Sequence, residues 1–393
     1  MYDFLYNTPT KVYFGKNSEE KLSEALKAQG CKCVLIHYGG KSAEESGLLA
    51  RVKSAVQRAG VNAVTLGGVQ PNPRLSLVNK GIELCVESGV DFILAVGGGS
   101  VIDSSKAIAL GVANGGNVWD FYDRTRVPKK CLPIGAVLTI AAAGSEMSNS
   151  SVITNDYTTT KRGLNLDMTR LAFAVMNPEL TLTVPAYHTA CGCADILMHT
   201  LERYLTGGET LNVTDGIAEA LMTSVIASSN AVMKNLTDLD ARANLMWASS
   251  LSHNGLTGCG GDGGDWCTHQ LGHELSAMFD VAHGASLTAV WGTWARYVYK
   301  NSAERFYNLA VRVMGVSPDG TREEVALKGI EALEAWFESL GLPTSIKGLG
   351  FEVTDGQLAL MAAKCAKANG GKKGSCRVLY QQDMLQIYTA SAR

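Results

Sequence analysis

Net charge is almost absent from this chain: 35 Lys and Arg stand against 37 Asp and Glu, a balance of −2 over 393 residues. So even a balance gives no electrostatic reason to expect nucleic acid or an anionic bilayer as a partner. Long apolar runs are missing too, since none reaches the roughly 18 residues that a spanning helix needs. The start, Met1-Tyr2-Asp3-Phe4, lacks the basic stretch and apolar core of a signal peptide. These absences predict a cytoplasmic protein whose partner is a small molecule.

Cysteine is plentiful, with ten residues, but metal-binding and redox spacings of it are lacking. Cys31/Cys33 and Cys191/Cys193 are CxC rather than CxxC, and neither has a second pair at zinc-ribbon distance. Free thiols in a reducing compartment are the expectation.

Two halves of the chain follow different patterns. From Val34 to about Val184, β-branched runs such as Val34–Ile36, Val61–Val64 and Phe92–Val96 alternate with helix-like stretches, Leu48–Ala59 and Leu75–Ser88. Such alternation predicts βαβ units around a parallel sheet. Beyond Pro185 the windows Thr189–Leu205, Asp215–Met233, Asp240–Leu251, Ser302–Met314, Arg322–Leu340 and Asp355–Ala368 carry apolar residues at three-and-four spacing, the mark of helices. The predicted fold is an α/β nucleotide-binding domain with a parallel sheet, residues 1–185, followed by an all-α metal-binding domain, residues 186–393.

Glycines fall where strands should end, which is where open α/β sheets bind ligands. Gly97-Gly98-Gly99-Ser100 leads from one strand into a helix, so backbone can approach a pyrophosphate and the helix end can offer free N–H groups. It is not the GxGxxG fingerprint of an ordinary Rossmann turn. After the first strand comes Gly39-Gly40-Lys41-Ser42. An acidic side chain there would select NAD, whereas Gly40, Lys41 and Ser42 leave room, a cation and a hydroxyl for the 2′-phosphate of NADP. NADP is therefore expected, with NAD possible.

Histidine is scarce, only seven in all, yet His253, His269, His273 and His283 crowd together beside Asp262 and Asp265. Asp195 and His199 sit at i and i+4 of a predicted helix and project from one face, and His269 and His273 repeat that spacing. One carboxylate with three imidazoles suits Fe2+ or Zn2+ and leaves a position open for a substrate oxygen, whereas Mg2+ and Ca2+ prefer oxygen ligands. Five candidates compete for four places. Spacing leaves His269 and His273 as alternatives.

Several segments resemble the iron-containing alcohol dehydrogenase family: Pro9–Gly15, Gly97–Asp103, Gly144-Ser145-Glu146, Ala194–His199, Gly264–Leu275 and His283-Gly284. The last two are similar to its butanol dehydrogenase and broad aldehyde reductase branch. The resemblance implies a dehydroquinate-synthase-like fold with Asp195, His199, His269 and His283 as metal ligands and His273 close to nicotinamide or substrate. It implies that Gly97, Gly98, Gly99 and Ser100 hold the pyrophosphate, that Asp103 lies near the reactive end of the cofactor, and that Thr139 and Lys161 help seat it. Two positions depart from the family pattern. Ala143 lacks a hydroxyl that the family usually presents to the cofactor, and Leu182 replaces a frequent aromatic.

The expected reaction is hydride transfer between a nicotinamide and a small primary alcohol or aldehyde, butanol or butanal in type, with His273 and Asp103 as candidate catalytic residues. A polyol dehydrogenase of the same fold, or a lyase of the dehydroquinate-synthase type, is the alternative. The lyase needs several Lys and Arg for a phosphorylated sugar, and near the proposed ligands the sequence offers chiefly Arg203 among Trp266, Cys267 and Met278. A homodimer is expected, with Lys11–Gly15 as an edge segment able to pair across a two-fold axis.

Overall fold

The computed structural model describes the chain from Met1 to Arg393. It divides into two compact units, Asn7–Val184 and Pro185–Arg393, and the latter takes in Met1–Tyr6. The first six residues go with the helical unit because Tyr2 donates its backbone N–H to Gly260 O and the Met1 ammonium pairs with Glu209.

In the first unit six strands form one sheet: β1 (Lys11–Phe14), β2 (Cys33–Tyr38), β3 (Asn62–Leu66), β4 (Phe92–Gly97), β5 (Ile134–Leu138) and β8 (Phe173–Met176). The order is β1-β8-β5-β4-β2-β3 and every pairing is parallel. Strands β4 and β5 are buried along their whole length, as helices on both faces of a parallel sheet require. Helices α1 (Leu22–Gln29), α2 (Leu48–Ala59), α3 (Leu75–Ser88) and α4 (Gly99–Asn114) make the crossovers. One apolar core joins Leu22, Leu26, Val52 and Val56 of α1 and α2 to Val34, Ile36, Leu94 and Val175 of the sheet. A separate antiparallel hairpin, β6 (Ser150–Asn155) with β7 (Thr160–Asn165), was not evident as a strand pair in the sequence pattern.

The strand order fixes where a ligand can enter. From β2 the chain steps outward to β3, then returns to β4 on the other side of β2 and continues to β5. The switch point therefore lies between β2 and β4, both of which end in glycine turns.

The second unit is helical: α5 (Ala186–Tyr204), α6 (Asn212–Lys234), α7 (Leu239–His253), α8 (Cys267–Phe279), α9 (His283–Val298), α10 (Arg322–Ser339), α11 (Asp355–Ala368) and α12 (Gln381–Ser391), with one two-residue ribbon. The starts of α10 and α11 are closed by capping boxes, Thr321 with Glu324 and Thr354 with Gln357. The predicted helix Ser302–Met314 is instead broken, with helical residues Ala303–Asn308 running into a wider π turn at Leu309–Val313. Helix α6 is long and apolar enough by composition to cross a bilayer. Its residues Thr214, Ala218, Met222, Val225, Ser229 and Val232 are nonetheless buried at three-and-four spacing, the stripe of a core helix. All ten cysteines are free thiols.

Candidate metal centre and nucleotide turn

Helix α5 carries Asp195, His199 and Glu202 at i, i+4 and i+7, so all three project from one face. His199 turns Nδ1 back to its own helix, 2.8 Å from Asp195 O, which leaves Nε2 to face outward. Helix α8 supplies His269 and His273, and α9 begins at His283. Ligating atoms of Asp195, His199 and His269 lie within 4.8 Å of one another. Asp195 Oδ1 is the point of convergence, 3.9 Å from His269 Nε2 and 3.7 Å from His283 Nε2. His273 stands beside this group, its ring 5.4 Å from that of His283 and 6.5 Å from that of His269.

Close approach of three helices makes this possible. A side chain at Gly284 would collide with the backbone of Cys191, so glycine lets α9 begin against α5 with His283 at its first position. A side chain at Gly264, where φ is +86°, would likewise collide with Glu202 O and Arg203 Cα, so glycine there brings the start of α8 onto α5. Trp266, the residue before α8, is held at φ 60°, a strained conformation for a bulky side chain. Its indole donates to Gly263 O at 2.6 Å and its ring lies 5.1 Å from that of His269, under the Arg203 guanidinium.

Electrostatics sharpen the picture. Burial drives His199 down to a pKa of about 3 against the pull of Asp195, so its imidazole is neutral and can act as a donor to a cation. His269 is raised instead, because Asp195 and Glu202 together outweigh its burial. Asp195 Oδ1 and His269 Nε2 are buried without a hydrogen bond, a costly arrangement that a bound cation would relieve. A carboxylate with neutral imidazoles is the donor set of Fe2+ or Zn2+. The residues present fit such an ion.

The acidic neighbours noted in the sequence go elsewhere. Asp265 accepts from the backbone N–H groups of Cys267, Ser375 and Cys376, and Asp262 bonds Ser375 and Gly264. Burial and the adjacent Glu202 push the Asp265 carboxyl up. His253 packs edge-on to His199 with ring centres 4.0 Å apart. Glu202 escaped the sequence reading; its signal was the i+7 spacing from Asp195.

In the α/β unit, α4 starts at the end of β4 with no side chain capping it, so the first-turn N–H groups of Gly99 and Ser100 face the switch point. A side chain at Gly98 would collide with Ile140. Thr139 donates its N–H to Gly97 O at 3.1 Å, and a side chain at Gly39 would touch Val101, so the two glycine turns and the end of β5 lie side by side. Gly40, Lys41 and Ser42 are exposed. Asp103 accepts from Ser145 Oγ at 2.5 Å and Val152 N at 2.9 Å, with its carboxyl raised by burial. Lys106 is fully buried and donates to Ser145 O, Ser148 O and Ser150 O, anchoring the segment after β5. Lys161, on β7, donates to Asn72 Oδ1 at 2.8 Å. A helix start of this kind offers backbone N–H groups to an anion.

A parallel sheet with a phosphate-type helix end, and a helical unit holding a carboxylate–imidazole cluster, define a metal- and nucleotide-using enzyme of two domains. Comparison with known proteins narrows this class. Residues 9–178 match the model of the iron-containing alcohol dehydrogenase family, and residues 189–392 match the C-terminal model of Fe-containing alcohol dehydrogenases. The NADH-dependent butanol dehydrogenase A of Clostridium acetobutylicum is 40% identical over 392 residues, covering 100% of both chains. The NADPH-dependent aldehyde reductase YqhD of Escherichia coli is 34% identical over 90% of each chain. The crystal structure of NADH-dependent butanol dehydrogenase A from Thermotoga maritima superposes with a TM-score of 0.95 at 34% identity, covering 100% of this chain and 99% of that one. The chain belongs to the iron-containing alcohol dehydrogenase family. With it the chain is an NAD(P)-dependent alcohol dehydrogenase, an oxidoreductase that interconverts alcohols and aldehydes.

Proposed function

We propose that the protein reduces short primary aldehydes, butanal in type, to their alcohols, with Asp195, His199, His269 and His283 holding Fe2+ or Zn2+. The observation that carries this is the buried pair Asp195 Oδ1 and His269 Nε2, close together and without hydrogen bonds, in a chain of this family. When bound, the metal polarises the substrate oxygen and the reduced nicotinamide supplies the hydride. The chain's own residues do the positioning. Gly97, Gly98, Gly99 and Ser100 hold the pyrophosphate through backbone N–H groups, Thr139 and Lys161 seat the cofactor, and Asp103 fixes the loop facing its reactive end. His273 donates the proton that the product alcohol requires. Arg203 is held against the Trp266 ring with Nη1 donating to His199 O and Ser252 O, so this cation is engaged within the helical unit, which supports an uncharged substrate.

NADPH is the proposed coenzyme, supported by the exposed Lys41 and Ser42 after Gly40. The names of the NADH-dependent relatives favour NADH as the second reading. A homodimer formed through the free edge of β1, and residence in the reducing cytoplasm, complete the proposal; the thiols, all free, support the latter. The test is oxidation of NADPH and NADH by butanal, followed by absorbance, after metal-stripped protein is reloaded with Fe2+ or Zn2+. Metal-dependent oxidation is expected. None with either ion or coenzyme, across several aldehydes, would overturn the reading in favour of lyase chemistry.

A further inference from the structure

Glu202 occupies an unusual position. One oxygen of its carboxylate, Oε1, accepts both from the backbone N–H of His269 at 2.9 Å and from the ring at Nδ1, 3.1 Å away. His269 is the third residue of α8, so its N–H is among those that a helix start leaves without an internal partner. No side chain within the helix caps it. A carboxylate from α5 thus closes the start of α8 and clamps an imidazole of the same residue.

The clamp dictates the tautomer. A carboxylate oxygen only accepts, so Nδ1 carries the hydrogen, and the neutral ring that binds a metal then presents its lone pair at Nε2. Nε2 is the atom that faces Asp195 Oδ1. The other oxygen, Oε2, is buried without a hydrogen bond, so little besides His269 offsets this negative charge. A cation on the far side of the imidazole would do so through the ring.

We propose that Glu202 is a positioning residue for the metal: it selects the His269 tautomer, aims Nε2 at the ion and raises the donor strength of the ring by its charge. This rests on the proposed metal reading and extends it to a residue outside the ligand set. Partners of this kind commonly change metal affinity by about 10–100-fold.

The experiment titrates chelator-treated protein with Zn2+ in competition with a chromophoric chelator, for wild type and for Glu202→Gln. Gln keeps an acceptor for the backbone N–H and the ring but loses the charge. The expected result is at least about a 10-fold loss of Zn2+ affinity with the metal-free melting temperature unchanged, and an altered visible spectrum of the Co2+ form. Affinity equal to wild type would overturn the proposal, and so would a loss that runs in step with metal-free unfolding, because a helix cap alone would produce it. Wild-type protein that takes up no Zn2+ would overturn the metal reading itself, and this inference with it.

Discussion

His37 Nε2 accepts a hydrogen bond from Ser104 Oγ at 2.8 Å, tying the C-terminal end of β2 to α4 beneath the nucleotide turn. The other ring nitrogen, Nδ1, donates to Leu66 O at 2.8 Å, which assigns the neutral Nδ1–H tautomer. Burial holds His37 near a pKa of about 4, down from 6.5.

A pH dependence follows, and its sign is fixed. The unfolded chain protonates His37 at higher pH than the native state does, so stability is complete above pH 6.5 and falls as the pH drops towards 4. At about 1.4 kcal/mol per unit the loss is on the order of 3 kcal/mol. Urea unfolding of wild type and His37→Gln across that range should show the excess loss only in wild type. Parallel curves would remove His37 as the cause.

Gly284→Ala should damage the metal centre without touching a ligand. The new methyl would press on Cys191 backbone, forcing α9 away from α5 and carrying His283 with it. Overpacking of this kind costs roughly 1–3 kcal/mol. Thermal melts and metal content per chain, measured by atomic absorption, should both fall.

His273→Ala separates ligand from proton donor. If His273 moves a proton, the variant keeps its full metal content while kcat falls by about 100-fold or more. Loss of the metal would make His273 a ligand instead.

Lys41 controls the coenzyme in the NADPH reading. Replacing it with Glu puts an acidic group where a 2′-phosphate would lie, and the ratio of kcat/KM for NADPH to that for NADH should drop by about tenfold or more. An unchanged ratio would leave the exposed Lys41 without a role in selection.

Local patterning carried most of the element types. Phe92–Gly97 reads as a buried strand because five of its six residues are apolar and the last is the glycine of the turn, and the three-and-four spacing over Asp355–Ala368 coincides with α11. The hairpin β6–β7 was less legible, since Ser150–Asn155 and Thr160–Asn165 are polar and gain order from Asp103, which binds Val152 N, and from Lys106, which binds Ser150 O. The break at Leu309–Val313 had no signal, because a π turn keeps the apolar composition of an α-helix while changing its register.

Sequence by itself determined that Asp195 and His199 share a face, that His269 and His273 do likewise, and that glycines follow β2 and β4. Each is a matter of spacing along one element, and helical or strand periodicity needs no other part of the chain. Only tertiary structure decided which histidine meets Asp195 Oδ1, where Asp265 spends its charge, and that Glu202 grips His269. The Asp195 and Glu202 relations join α5, α8 and α9 across 67 residues of chain or more, and they arise because Gly264 and Gly284 let three helices touch, while Asp265 is held by the distant Ser375–Cys376 turn.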